Sequence, residues 1–268
     1  MWLALLLAAA PPEIARAYSL LSYVAGDYAA AVGPAGEVIS QQELDEQRIF
    51  ASDAARDLNA AGAADLAAQI ERLGTRIGAK APPREVVPEA QRLAERIAQR
   101  FQLALLPRRA PDLQRGHAIW RQACAACHGA DGTPRVERLE LPTRPVAFSS
   151  LQETARLSPQ RIFAAVNFGV PGTAMPSFGG AIDEDAIWDV AFAALLFAHP
   201  PEARVRGEEV AGRLPRRPDW LQLAVRTDEQ LRAALARSPF TEEDREALIS
   251  AIRFRWSEPA AQQAAHGP

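Results

Sequence analysis

Only two cysteines occur in this chain of 268 residues, and they stand three positions apart, as Cys124 and Cys127. A disulfide framework is excluded because it needs several well-separated cysteines, so both thiols call for one explanation. A redox-active dithiol usually lies at a strand-to-helix junction, and no segment has the pattern of a parallel sheet. A zinc site needs four ligands, and the histidines are not paired at ligand spacing. The dithiol and the zinc site are therefore the less favoured alternatives.

A histidine follows the second cysteine and completes the pattern Cys124-Ala125-Ala126-Cys127-His128. This C-x-x-C-H pattern is typical of covalent haem attachment. Cysteines spaced over about one helical turn can bond the two vinyl positions on one edge of a porphyrin. The next residue then turns under the ring, where its imidazole can bind iron. The pattern predicts one covalently attached haem c, anchored by Cys124 and Cys127, with His128 as the proximal iron ligand.

Met175 is the candidate for the second axial ligand of a six-coordinate iron, since the only other methionine is Met1. An isolated methionine more often fills a core. Met175, however, lies in a loop between Pro171 and Pro176, which would stiffen the loop and hold the thioether in place. Histidine and methionine together are a known pair of haem ligands, and they raise the reduction potential. The prediction is that Met175 is the distal ligand.

The three other histidines are not predicted as ligands. His117 lies on the helix that leads into the cysteines, so it cannot easily reach the far face of a haem and is expected to pack or face solvent. His199 precedes two prolines and His266 lies near the end of the chain. Both are expected at the surface.

The pattern of apolar residues predicts an all-α fold. Between residues 18 and 109, apolar side chains recur at helical spacing, with breakers at Gly33-Pro34, Gly62 and Pro82-Pro83. An antiparallel bundle of four helices is the expected result. The chain is long enough for a second domain, and its composition (48% hydrophobic and 24% charged) is that of a soluble globular protein.

The cysteines belong to a second region, residues 111–201. It is expected to form a first helix over 112–126, a helix over 159–168, and a last helix over 183–198. Residues 202–268 are expected to form a short helical C-terminal extension. The net charge of −3, with no dominating basic block, argues against nucleic acid as a partner.

The N-terminus has features of a secretory signal peptide. The apolar run from Met1 to Ala10 is too short to span a bilayer, and Ala15-Arg16-Ala17 gives an A-x-A-like cleavage site before Tyr18. Residues 1–17 are therefore predicted as a signal peptide, although no Lys or Arg precedes the run. The alternative is a buried first helix. No other stretch is long and apolar enough to be a transmembrane helix of the mature chain.

The region around the cysteines resembles the class I cytochrome c family. The matching pieces are Gly116-x-x-Ile119-Trp120-x-x-x-Cys124-Ala125-x-Cys127-His128-Gly129, the loop Gly172-Thr173-Ala174-Met175-Pro176, and a last helix over residues 185–196. The stretch Leu141-Pro142-x-x-Pro145-x-x-Phe148 looks like the segment at the haem edge.

The resemblance implies that the first and last helices of the region cross, with Gly116 and Trp120 meeting Trp188 and Phe192. It also implies a Gly-Pro after the motif that accepts the N–H of the proximal imidazole. The nearest equivalent in this chain is Gly132-Thr133-Pro134.

A second resemblance covers more of the chain. The segments Tyr23–Tyr28, Glu43–Phe50 and Arg226–Arg232 are similar to bacterial proteins in which a helical region and a cytochrome c domain precede a membrane iron permease. No permease helices follow here. The resemblance implies a link to iron uptake and a membrane iron permease as a partner.

Four carboxylates of the helical region could face one another across two helices: Asp27, Glu43, Asp45 and Glu46. An iron or hard-cation site can be built from carboxylates in a bundle. Such residues more often form a solvated, salt-bridged helix face, which is the favoured interpretation.

The sequence therefore predicts an exported, periplasmic mono-haem cytochrome that transfers single electrons to and from a redox partner protein. Three alternatives stay open. One is a haem-based enzyme or sensor, such as a peroxidase-like centre, in which Met175 is readily displaced. The second is an iron-binding module that docks on a membrane permease. In the third, the helical bundle serves only as a structural spacer.

Overall fold

The computed structural model describes residues 11–101, 103, 106–135, 141, 143–212 and 219–255. Over these residues the chain is helical with no strand, which confirms the all-α prediction. The chain divides into two compact units, Met1–Leu105 and Leu106–Pro268. Among the helices described, none has the length and apolar character needed to cross a membrane.

The first unit contains four helices: α1 (Pro12–Ala31), α2 (Gln41–Ala60), α3 (Ala64–Gly78) and α4 (Pro83–Arg100). Neighbours in the chain contact each other, and α4 returns to contact α1, so the four close into a bundle. Ser40 begins α2, and its hydroxyl accepts a hydrogen bond from the Glu43 backbone N–H. Pro83 at the first position suits the start of α4.

The core of this bundle follows the apolar spacing of the sequence. Every third or fourth residue of α3 and α4 is almost wholly buried: Leu66, Ile70, Leu73 and Ile77, with Val86, Ala90, Leu93 and Ile97. The Tyr28 ring is also fully buried, and its hydroxyl donates to the Ala81 carbonyl at 2.8 Å.

The predicted signal peptide lies partly outside the described residues, which begin at Pro11. Its second half, including Ala15-Arg16-Ala17, belongs to α1. There Ile14 and Ala17 are fully buried, and Arg16 pairs with Asp53 and Asp57 of α2 at 2.7 Å.

The four candidate carboxylates of the bundle do not converge. Across the described residues, no three His, Cys, Asp or Glu side chains are grouped so that they could hold a metal ion. Asp45 pairs with Arg48 on the same helix at 3.0 Å. Burial, followed by the charge of Glu46, raises the pKa of Glu43. Of the four, Asp45 thus takes part in a salt bridge of the kind expected on a solvated helix face.

The second unit holds the cysteines and nine further α-helices among its described residues. They are α5 (Leu113–Ile119), α6 (Ala125–His128), α7 (Leu151–Thr154), α8 (Pro159–Phe168), α9 (Glu184–Leu195), α10 (Pro201–Ala211), α11 (Trp220–Ala224), α12 (Asp228–Leu235) and α13 (Glu242–Arg255). The side chains of Asp112, Ser158, Asp183 and Thr227 cap four of these helices.

Helices α5 and α9 pack closely, as the family resemblance implied, and Gly116 lies at the contact. A Cβ atom at Gly116 would overlap with the backbone carbonyl of Asp189. The Asp189 carboxylate is itself fully buried and accepts hydrogen bonds from the Asp112 backbone N–H, Arg109 and Arg115. Charge and close backbone contact together fix this crossing.

The C-terminal helices share one hydrophobic core with the cysteine region. Leu223, Leu248 and Ile249 of α11 and α13 belong to the same buried cluster as Trp120 and Cys124. Helix α10 lies tightly against α13, because Gly207 has no side chain to meet the Ala247 carbonyl.

The prediction that His199 lies at the surface is wrong. Its side chain is 3% exposed, and its ring bonds to Ser250 and Asp228 of the C-terminal helices. A buried imidazole needs such partners. His117 packs edge-on against Phe197 at 5.5 Å, which confirms the packing expected of it. His266 lies outside the described residues.

Candidate haem site

A π-helical turn, Trp120–Cys124, separates α5 from α6 and carries the first cysteine. Single π turns inside α-helices are frequent at functional sites. Helix α6 then ends at Gly129, whose φ of 79° favours glycine. A Cβ atom there would also overlap with the Thr133 carbonyl. The cysteine motif thus ends in a turn that only glycine fits.

The ring of His128 is oriented by the backbone of Val146. Nδ1 of His128 lies 3.1 Å from the Val146 carbonyl oxygen, which can only accept, so Nδ1 carries the proton. This tautomer leaves the lone pair of Nε2 for a metal, as is usual for histidine ligands. Burial lowers the pKa of His128, which favours the neutral, ligand-competent imidazole.

The acceptor for the proximal imidazole is therefore not in Gly132-Thr133-Pro134, where the resemblance suggested it. Val146 follows Pro145, in the stretch that looked like the haem-edge segment. Gly132 has another role, since a Cβ atom there would come within 2.8 Å of Phe197. Sequence reasoning missed Val146, and its only signal was the proline-bracketed pattern around it.

Trp120 packs against the two residues that follow the second cysteine, His128 and Gly129. Its indole N–H donates to the Gly129 carbonyl at 3.0 Å within the core. Its ring lies 5.2 Å from Phe148, 4.8 Å from Phe197 and 5.7 Å from His128, between ring centroids. Trp188, which the resemblance placed near Trp120, stacks on Phe163 at 4.3 Å. The aromatic rings therefore form two sets within one core.

Cys124 is buried and Cys127 is half-buried. Burial, together with the neighbouring Cys127, raises the pKa of the Cys124 thiol to about 11. In the part of the chain that is described, no metal-binding group of His, Cys and carboxylates forms around them, and no sheet is present. These findings weigh against the zinc site and the dithiol.

Met175 lies in a loop held by its own hydrogen bonds. The Val170 N–H donates to the Met175 carbonyl at 3.1 Å, and the Met175 N–H donates to the Thr173 hydroxyl at 3.1 Å. Gly169, with a φ of 72°, begins the loop. The half-buried Met175 side chain packs against the core cluster that contains Cys124. The loop and the cysteine motif thus border one apolar core.

The chemistry of His128, Met175 and the two cysteines suits a haem. An imidazole nitrogen and a thioether sulfur form a known axial ligand set, and two thiols precede the histidine at attachment spacing. The surroundings are apolar: Phe148, Leu157, Ile162, Phe163 and Phe178 belong to the core cluster or pack against it.

The all-α unit, the C-x-x-C-H motif at a helix end and the oriented histidine are the features expected of a c-type cytochrome domain. Residues 111–191 match the family model described as "Cytochrome C oxidase, cbb3-type, subunit III". The chain therefore contains a cytochrome c domain, which implies covalently bound haem c, electron transfer and a redox partner. Neither the curated proteins nor the solved structures gave a match to this chain.

Proposed function

We propose that this protein is an exported mono-haem cytochrome that transfers single electrons. Cys124 and Cys127 would anchor the haem, with His128 and Met175 as axial ligands. The observation that carries the proposal is the hydrogen bond from Nδ1 of His128 to the Val146 carbonyl, since it leaves Nε2 for iron.

When bound, a haem supplies an iron that gains or loses one electron at a time. The residues of the chain tune and protect that centre. The Val146 carbonyl orients the imidazole, and the hydrogen-bonded loop would present Met175 as the second ligand. The rings of Trp120 and Phe148 pack against the His128 ring and shield it from water. Low polarity and a thioether ligand both favour a raised reduction potential.

The redox partner would dock beside Val146. Val146, whose carbonyl holds His128, is 36% exposed, and Leu151 is 42% exposed. Arg144 and Glu153 pair beside them at 2.9 Å. A small apolar surface with a polar rim is typical of transient electron-transfer contacts.

Export and a link to iron uptake complete the proposal. Proteins of the class I cytochrome c family acquire their haem outside the bacterial cytoplasm, and the N-terminal apolar run would direct export. The similarity of the bundle to the region that precedes a membrane iron permease suggests a permease as the partner. Pull-down of such a permease, or haem reduction coupled to oxidation of ferrous iron, would test this step.

The first experiment is an absorption spectrum of the chain made with haem-maturation machinery, oxidised and reduced, with a haem-stained denaturing gel. We expect haem that stays on the denatured chain, a low-spin reduced spectrum, and a methionine-to-iron charge-transfer band. Met175→Ala should abolish that band. His117→Gln, a histidine that packs on Phe197, is the matched control and should leave it unchanged.

Other results would change the assignment. A high-spin spectrum that Met175→Ala does not alter would favour a peroxidase-like enzyme or a sensor. A chain without haem would overturn the proposal.

A further inference from the structure

The peptide group between Val146 and Ala147 is hydrogen-bonded on both of its sides. Its carbonyl oxygen accepts from Nδ1 of His128 at 3.1 Å, and its N–H donates to the Glu153 carboxylate at 2.7 Å. The second bond is at the short end of the range for an N–H donor, as is usual when the acceptor is a carboxylate. The imidazole of His128 and the carboxylate of Glu153 are thus joined through a single peptide group.

The local fold brings the Glu153 carboxylate back to this peptide group. The chain turns after Ala147, whose carbonyl accepts a hydrogen bond from the Ser150 N–H at 3.0 Å. Ser150 then caps α7, where its hydroxyl accepts from the N–H of Glu153, the third residue of the helix. The turn and the cap together place the Glu153 side chain within reach of the Ala147 N–H.

The two oxygens of the Glu153 carboxylate lie in different surroundings. One accepts from the Ala147 N–H, and both Ala147 and Phe148 are buried, with the Phe148 ring 5.3 Å from the His128 ring between centroids. The other oxygen accepts from the exposed Arg144 guanidinium at 2.9 Å. One side of the carboxylate therefore acts on the buried peptide group, and the other is paired with a cation at the surface.

We infer that Glu153 is a positioning residue that controls electron donation by the His128 imidazole through this peptide group. Hydrogen bonds in series polarise one another, so a carboxylate on the N–H makes the carbonyl oxygen a stronger acceptor. A stronger acceptor for Nδ1–H makes Nε2 a more basic ligand. The role assigned to Glu153 rests on the proposed ligation of iron by His128.

The direction of the effect follows from the charges. A more basic imidazole favours the oxidised, more electron-poor iron, so the Glu153 carboxylate lowers the reduction potential. Arg144 opposes this effect, because its guanidinium draws negative charge toward the other carboxylate oxygen. Loss of the Glu153 charge should therefore raise the potential, and loss of the Arg144 charge should lower it.

The test is a redox titration of the full-length, haem-loaded chain against mediators. Glu153→Gln keeps an oxygen for the Ala147 N–H but removes the charge. At a fixed mediator potential, its ratio of reduced to oxidised protein should rise roughly threefold, or about 30 mV for one electron. Arg144→Gln should shift the ratio in the opposite direction. The matched control is Glu229→Gln, which removes the same charge from an exposed ion pair with Arg156 and should leave the ratio unchanged.

Two further readings separate the hydrogen-bonded path from an effect of charge across solvent. In about 1 M salt, where the screening length is about 3 Å, the shift in Glu153→Gln should persist. In the reduced, low-spin protein, the NMR resonance of the His128 Nδ1–H reports the strength of its hydrogen bond. It should move upfield in Glu153→Gln, where the bond is weaker, and downfield in Arg144→Gln.

Three outcomes would overturn the role of Glu153. They are an unchanged ratio in Glu153→Gln, shifts of the same sign in Glu153→Gln and Arg144→Gln, or a shift that vanishes at high salt. Shifts of the same sign would show that only the ion pair matters, since both variants break it. With a low-spin spectrum and an intact methionine band, each of these outcomes leaves the electron-transfer proposal standing. A chain that binds no haem would overturn that proposal and the role of Glu153 with it.

Discussion

Nε2 of His199 lies 3.0 Å from Oδ2 of Asp228, inside the core of the second unit. Nδ1 of the same ring lies 2.9 Å from the Ser250 hydroxyl, and Arg253 donates to the other Asp228 oxygen at 2.8 Å. All four side chains are buried. Because His199 directly follows the last turn after α9, this network ties the cysteine region to the C-terminal helices.

Replacing His199 by Phe is expected to destabilise the second unit by about 1–3 kcal/mol, because Asp228 and Ser250 would lose a partner in the core. Denaturant unfolding followed at the haem absorption band measures the change. Arg156→Gln is the matched control. It removes an ion pair to Glu229 whose side chains are 67% and 50% exposed, and should cost less than about 0.5 kcal/mol. Equal losses would contradict a specific role for His199.

The same network predicts a dependence of stability on pH. Burial alone would raise the pKa of Asp228, but the hydrogen bond from His199 and the charge of Arg253 outweigh it and lower the pKa from 3.8 to about 2. The folded value lies below the unfolded one, so this stabilisation is complete above about pH 4 and is lost as the pH falls through about 2. It amounts to on the order of 2 kcal/mol.

Unfolding free energies measured from pH 5 to pH 2 test this. Asp228→Asn should be less stable than the unaltered chain at pH 5, and the difference should shrink toward pH 2. A constant difference over that range would show that Asp228 does not titrate as described.

Local signals were sufficient for most of the helices. A capping box joins Thr227 and Gln230, and Ser158 caps the helix that begins at Pro159, as their spacing in the sequence predicts. His199 is different, because its partners lie 29 and 51 residues further along the chain. Nothing near a histidine in the sequence reveals partners of that kind, so its burial could not be predicted.

The same distinction applies to the candidate haem site, where some residues could be predicted from local sequence and one contact could not. The cysteines and His128 are adjacent, and Met175 stands in its own short loop, so side-chain patterns were enough to propose them. The acceptor for His128 is a backbone carbonyl, which any residue at position 146 could provide. The contact between this carbonyl and the imidazole, 18 residues apart in the sequence, is evident only from the folded structure.

Gly116→Ala is expected to destabilise the second unit by about 1–3 kcal/mol, because the new methyl group would overlap with the Asp189 backbone at the α5–α9 crossing. Gly74→Ala is a control of the same chemistry in the middle of α3. Its methyl group would meet only the Ala51 side chain, at an ordinary contact distance of 3.7 Å. Because alanine loses less backbone entropy than glycine in a helix, this substitution should stabilise the bundle by about 0.5–1 kcal/mol. Thermal unfolding followed by circular dichroism and by haem absorption reports both units. Effects of the same sign would contradict the packing argument.

Arg16 gives the last prediction, which concerns the mature N-terminus. Its guanidinium donates to both carboxylate oxygens of Asp57, at 2.8 and 2.7 Å, and to Asp53 at 2.7 Å. Burial raises the pKa of Asp57, and the charge of Arg16 opposes that rise. Cleavage after Ala17 would remove this partner and the fully buried Ile14.

On the proposal that the chain is exported, we therefore expect Arg16 to remain after processing, with any cleavage upstream of Pro12. The intact mass of protein recovered from the periplasm measures this directly. A second measurement uses Arg16→Gln, which should lower the stability of the bundle by about 1–3 kcal/mol, since the part-buried Asp57 carboxylate loses the cation it is bonded to and Asp53 keeps only the exposed Arg56. A mature chain that begins at Tyr18 and keeps a stable bundle would show that α1 does not need its first turn, and that the A-x-A pattern before Tyr18 is the true cleavage site.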